Sequence, residues 1–197
     1  MQNDLPPPAI TIDTCIFENY NMSVDEMLKR LRPLMNHDFI ISEIVMMELR
    51  NHYETTHQVV ARSLEKLEQR MDIFADDSEV KDSYLKFCAA LKNKKASPTS
   101  CDKFIAQTNT TVVPYINVSL EYVMTAYFDT IAPFQTGKKK REFPDAVALF
   151  SLDKWAEENN RRIAAISCDN DWLTFAELNR GRWDCYKSIE QAAAKLK

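Results

Sequence analysis

The chain has 197 residues, 45% of them hydrophobic, with 29 acidic and 25 basic side chains and a formal net charge of -4. That length and apolar share suit one compact domain with a real core, and no apolar run is long enough to span a bilayer. The weakly acidic balance excludes a generally basic coat for nucleic acid and leaves local basic clusters as the only candidates for phosphate contact.

The first ten residues, MQNDLPPPAI, carry neither the basic nor the apolar region of a signal peptide. Ala9-Ile10-Thr11-Ile12 reads as a short buried strand that ends at Asp13. Val24, Met27, Leu28 and Leu31 then recur at helical spacing within a helix expected over about 23–35. Phe39-Ile40-Ile41 is a second strand, and Ser42 is placed to cap a long helix running toward Arg70. Residues 77–107 read as mostly helical, with Ser97-Pro98-Thr99-Ser100 as a turn-like interruption. An amphipathic helix follows over about 119–134, and then a linker, 135–143, holding Gly137 and a basic run. Pro144 suits the first turn of a helix reaching about Asn159. A third strand is expected over 162–167, a short helix over 171–179, a fourth strand over 183–186 and a terminal helix.

Short apolar strands alternating with helices, without hairpin signals, predict an α/β fold with a central parallel sheet and helices on both faces. The composition also excludes several chemistries. Two glycines in the chain, Gly137 and Gly181, cannot build a P-loop or a GxGxxG turn, and no GxSxG elbow is present. Five cysteines, an odd number without a CxxC pair, argue against a disulfide framework or zinc ribbon and for the reducing cytoplasm. The three histidines, His37, His52 and His57, have no metal-motif spacing.

Ligand sites in parallel sheets lie at the carboxyl ends of the strands. Asp13 follows the first strand, Asp169 and Asp171 follow the third, Glu48 stands in the second turn of the helix after the second strand, and Asp145 opens the Pro144 helix. All would meet on one edge. Each acid also has a plainer reading: Asp145 complements a helix dipole, and Asp13 or Asp169 makes ordinary turn bonds. Glu48 lies among Ile44, Val45, Met46, Met47 and Leu49, where a solvated acid is less expected; Glu43 is its rival. Several carboxylates ionised together need a cation, and an all-oxygen set suits Mg²⁺ or Mn²⁺. Such ions serve in-line attack at phosphorus, so the chemistry implied is phosphodiester hydrolysis.

Four stretches, ITIDTCIFENY, ISEIVMMELRNH, FPDAVALFSLDKWAEEN and IAAISCDNDW, resemble in order the four acidic blocks of the PIN-domain nucleases. The resemblance covers about residues 9–51 and 142–186. It implies a three-layer α/β/α sandwich, residues 1–197 forming a single nuclease domain with a mainly helical insertion at about 52–135. It implies a metal-dependent endoribonuclease in which Asp13, Glu48, Asp145 and Asp169 bind Mg²⁺ or Mn²⁺, Asp171 assists, and Ser167 orients the site. Cys15 departs from the pattern, standing where a small polar residue is frequent. Glu48 and Asp145 are 97 positions apart, farther than in compact PIN toxins. By the same resemblance RNA is the preferred partner, a homodimer and an inhibitory protein partner are compatible, and toxin-like or defence roles rest on analogy alone. The alternatives are a DNA-directed, flap-like nuclease and a catalytically silent module binding RNA or protein. A haloacid-dehalogenase-type phosphatase lacks its second aspartate after Asp13-Thr14-Cys15.

Lys138, Lys139, Lys140 and Arg141 precede Asp145 by a few residues and are candidates to hold substrate phosphates; a solvated loop is the competing reading. Phe17, Tyr20 and Trp172 could stack on bases, with core packing as the rival.

Overall fold

The computed structural model describes residues 6–68, 70, 77–92, 96–134 and 142–196, with backbone alone at 91, 92 and 96–99. The basic run Lys138, Lys139, Lys140 and Arg141 therefore lies outside the described residues. The strands are β1 (Ala9–Ile12), β2 (Ile40–Ser42), β3 (Thr111–Val113), β4 (Ile163–Ile166) and β5 (Trp183–Tyr186). The helices are α1 (Thr14–Asn19), α2 (Val24–Leu31), α3 (Glu43–Glu68), α4 (Ser78–Lys92), α5 (Ala96–Thr108), α6 (Leu120–Asp129), α7 (Phe143–Glu158), α8 (Asn170–Leu178) and α9 (Ile189–Lys195).

Every strand pair is parallel. β1 pairs with β4 and β4 with β5, while β2 pairs with β3. A single bridge, Ile10 with Phe39, joins the two sets, and the Ile10 amide donates to the Asp38 carbonyl at 2.8 Å. The resulting order is β3-β2-β1-β4-β5. β1 and β4 are buried along their whole length, as strands covered on both faces must be. Right-handed crossovers put α2 on one face of the sheet and α7 and α8 on the other. The packing agrees, since α9 meets α2, β4 and β5, while α7 meets α8, β2 and β3. The fold is the expected α/β/α sandwich.

The chain divides into two compact units, Met1–Glu48 with Lys103–Lys197, and Leu49–Asp102. The first holds the sheet. Its core is Ile10, Ile12, Ile40, Ile41, Leu149, Leu152, Ile163, Ile166 and Trp172, all nearly inaccessible to solvent. The second comprises the distal part of α3, α4 and the start of α5. There the Tyr84 hydroxyl donates to the Leu64 carbonyl, while Val59, Leu67, Val80, Leu85 and Phe87 remain exposed.

Two elements carried no expectation and one local expectation needs correction. β3, a strand of three residues bounded by Pro114, lies between the helices expected over 77–107 and about 119–134, where no element was expected. α1 begins directly after Asp13 and is too short to show a periodicity. Ser97-Pro98-Thr99-Ser100 does not interrupt a helix but lies in the first turns of α5, where proline is tolerated because the first amides have no intrahelical partner.

Candidate active site

The strand order makes the site. From β1 the chain moves outward through β2 to β3, then returns to the other flank of β1 to lay down β4 and β5. The crevice outside the carboxyl ends of β1 and β4 is thus the topological switch point, the place where such sheets bind ligands. Ile12 is in register with Ile166, so Asp13 and Ser167 leave the sheet side by side.

Asp13 is buried, 5% exposed, and caps α1. Its Oδ1 accepts the Thr14 amide at 2.6 Å, and its Oδ2 accepts the Ser167 hydroxyl at 2.6 Å and the Cys15 thiol at 3.1 Å. Burial pushes the Asp13 carboxyl above its ordinary range and the Asp169 charge adds to this, while the three hydrogen bonds pull it back. Ser167, fully buried, also accepts the Asp169 amide at 3.0 Å. One hydroxyl thus ties the end of β1 to the start of α8. Asp169 is exposed and caps α8 by accepting the Asp171 amide at 2.8 Å, and Asp171 is half-buried in the first turn behind it.

Glu48 is half-buried in the second turn of α3 and accepts the Thr14 hydroxyl at 3.0 Å. Asp13 and Glu48 are therefore bound to successive groups of one residue, the amide and hydroxyl of Thr14. Thr14 was visible only as part of the hydrophobic-Asp-Thr pattern, and nothing in the sequence announced that it would join two acids. Ser42, which closes β2, gives the Ile44 amide an acceptor at 3.3 Å and shares a hydrogen bond with Ser151 on α7 at 3.0 Å.

Asp145 is half-buried in the first turn of α7. Burial, then the charges of Asp13, Glu48 and Asp169, push its carboxyl up to about 7. The Trp172 indole N–H partly offsets this, although it is buried and makes no hydrogen bond of good geometry. Burial likewise pushes the half-buried Cys15 thiol up, with the Asp13 charge next to it.

The structure brings Asp13, Ser167 and Asp169 into one hydrogen-bonded chain, attaches Glu48 through Thr14, and sets Asp145 within the field of the other three acids. Asp171 is linked to Asp169 by its amide. Among the described residues, no group of three or more Asp, Glu, His or Cys side chains is arranged to hold a metal ion. The acids share an edge without closing into a ligand sphere among the described residues. The donor set still suits a hard divalent cation: every acid offers only oxygen, and their combined charge already makes Asp145 hard to ionise.

Phe17 and Trp172 are core residues, 2% and 0% exposed, so neither can stack on a base. Phe17 instead packs edge-on against Phe104 at 5.1 Å. The Tyr20 hydroxyl donates to Glu190 at 3.3 Å. A cleft of about 340 Å³, lined by Tyr122, Phe150, Asp153 and Lys154 among others, contains none of these acids. Its Asp153 is already engaged by the Trp183 indole at 2.7 Å and by Arg182 at 3.2 Å.

A parallel α/β/α sheet with carboxylates gathered at its switch point belongs to the nuclease-type α/β domains. The family model described as PIN domain matches residues 10–172, and the chain belongs to that family. The match spans the acids from Asp13 to Asp171. PIN domains are generally nucleases that typically use divalent metals. Comparison with curated proteins and with solved structures gives no match. No described helix is long and apolar enough to cross a membrane.

Proposed function

We propose that this protein is an endoribonuclease that hydrolyses RNA phosphodiester bonds with Mg²⁺ or Mn²⁺, held by Asp13, Glu48, Asp145 and Asp169. The observation that carries this reading is the linkage of acids from three separate chain segments, through Thr14 and Ser167, at the switch point of the sheet. Acids serving only as helix caps or turn residues have no need to share one hydrogen-bonded network.

When bound, a divalent ion supplies activation of water and neutralisation of phosphate charge. The protein's own part is positioning. Ser167 and the Thr14 amide fix both oxygens of Asp13, and the Thr14 hydroxyl turns Glu48 toward the same edge. Asp169 is fixed by its capping bond, and Asp171 assists from the first turn behind it. Asp145, pushed up to about 7 by burial and by the neighbouring acids, changes its protonation near neutral pH. Lys138, Lys139, Lys140 and Arg141 hold RNA phosphates beside the acids. We read the chain as one nuclease domain carrying its helical unit as an insertion, working in the reducing cytoplasm.

The test is incubation of purified protein with labelled single-stranded RNA and DNA, in Mn²⁺ or in EDTA. RNA cleavage in Mn²⁺ and none in EDTA is expected. Cleavage of DNA alone would establish the DNA-directed reading instead. Equal cleavage in both buffers would exclude the metal mechanism, and binding without cleavage would leave a silent RNA-binding module.

A further inference from the structure

Two cysteines flank the acid network, and neither contributes to the proposed cleavage chemistry. Cys15 follows β1 by three residues and Cys168 follows β4 by two, so the pairing of these strands brings together thiols 153 positions apart. The Cys168 amide donates to the Cys15 sulfur at 3.1 Å. Cys15 is half-buried, with its thiol on Asp13 at 3.1 Å and the Ser167 hydroxyl at 3.7 Å. Cys168 is exposed, and its sulfur accepts the Asn19 side-chain amide at 3.8 Å. A thiol open to solvent beside a sheltered one is the arrangement of a peroxide-sensitive pair, with one sulfur meeting the oxidant and the other resolving it.

We propose that Cys15 and Cys168 form an oxidation site, closing to an intramolecular disulfide when the protein meets a peroxide. In the first step the Cys168 sulfur attacks the peroxide O–O bond, giving a sulfenic acid and one water from hydrogen peroxide. In the second, the Cys15 sulfur attacks the sulfenic sulfur. The S–O bond breaks, and the hydroxyl leaves with the Cys15 proton as a second water. Peroxide is reduced and the two thiols are oxidised. The Cys15 sulfur already lies 3.1 Å from the Cys168 amide, and closure has to bring the two sulfurs to about 2.05 Å.

The consequence for cleavage rests on the proposed nuclease reading. The disulfide takes the Cys15 hydrogen bond away from Asp13 and fixes the residue immediately before Asp169. Both acids are disturbed at once, and a thiol reductant restores them.

Metal-free protein in EDTA is treated with dilute hydrogen peroxide, and its thiols are then alkylated and its peptides mapped by mass spectrometry. The expected result is loss of two hydrogens, a Cys15–Cys168 linked peptide, free Cys88, Cys101 and Cys185, and reversal by dithiothreitol. Cys168→Ser, a change at an exposed side chain, should give no intramolecular link. The proposal is overturned if Cys15 stays alkylatable while Cys168 goes to sulfinic acid or to a disulfide between chains. These readouts do not depend on nuclease activity. RNA cleavage assayed alongside should fall at least tenfold on oxidation of the wild type and not of Cys168→Ser. An oxidation site without any cleavage would fault only the nuclease reading.

Discussion

Asp145 shows how one side chain serves both fold and site. As the acid in the first turn of α7 it complements the helix dipole, yet burial, and then the charges of Asp13, Glu48 and Asp169, make its ionisation costly. With a folded-state value of about 7 against an ordinary value of 3.8, the unfolded chain releases this proton first as pH rises. Between those values the folded state holds more protons than the unfolded state, so stability falls with rising pH, by at most about 1.4 kcal/mol per unit. Above the folded value both states are ionised and the loss is complete. Asp145→Asn removes the titration at nearly constant shape. In EDTA the variant should match wild type near pH 4, become progressively more stable than wild type toward pH 7, and keep a constant lead above it. Urea midpoints across that range measure this. A variant less stable than wild type at every pH would make Asp145 a helix-start residue and nothing more. The same duality explains what sequence can reveal about the site. Asp13 and Asp169 are helix caps where the plain reading expects turn residues, and they also lie in the acid network. What no local pattern could reveal is the Ser167 bond to Asp13, spanning 154 positions, because it depends on the register of β1 against β4.

At the scale of elements, legibility followed the strength of the local signal. β1, β2, β4 and β5 were readable because each is an apolar or aromatic run with clear boundaries. β3 was not, since Thr111-Val112-Val113 exposes two of its three residues and so shows little of a buried strand's pattern. The turn before β5 illustrates a feature that composition flagged without explaining. Gly181 has φ of +105°, a region other residues rarely adopt, and a methyl group placed there would meet no atom within 4 Å. Any loss from Gly181→Ala is therefore backbone strain and not a clash, and should amount to about 1–2 kcal/mol. The strand it introduces is anchored by Trp183 and Arg182, both bonded to Asp153 on α7. The variant should thus keep the native fold and lose only stability. Thermal unfolding with unchanged far-ultraviolet dichroism is the check; a stability equal to wild type would show that this turn relaxes freely.

For the whole molecule, a net charge of -4 coexists with a proposed polyanionic substrate, and two separable groups would reconcile them. A cation among the acids would lower their mutual repulsion, and Lys138, Lys139, Lys140 and Arg141 would supply attraction to phosphate. The first contribution appears without RNA. Mn²⁺ at about 100 times its dissociation constant adds roughly 2.7 kcal/mol to a folded state that binds it. In a chain of this size that is a rise of about 5–10 °C in melting temperature. Asp145→Asn should shrink this rise, whereas changing the four basic residues to Ala should leave it intact. The second contribution appears only with RNA. A single-stranded ligand loses about 0.7 of salt slope per phosphate contact removed, so the fourfold Ala variant should flatten log affinity against log salt by up to about 2.8. Fluorescence anisotropy with a short RNA between 50 and 200 mM salt reads the slope, and thermal melts with and without Mn²⁺ read the metal. If the fourfold variant keeps the wild-type slope, the basic run is a solvated loop and the phosphates are held elsewhere. If it loses the Mn²⁺ response as well, the two groups are one site, and the division of labour between acids and bases fails.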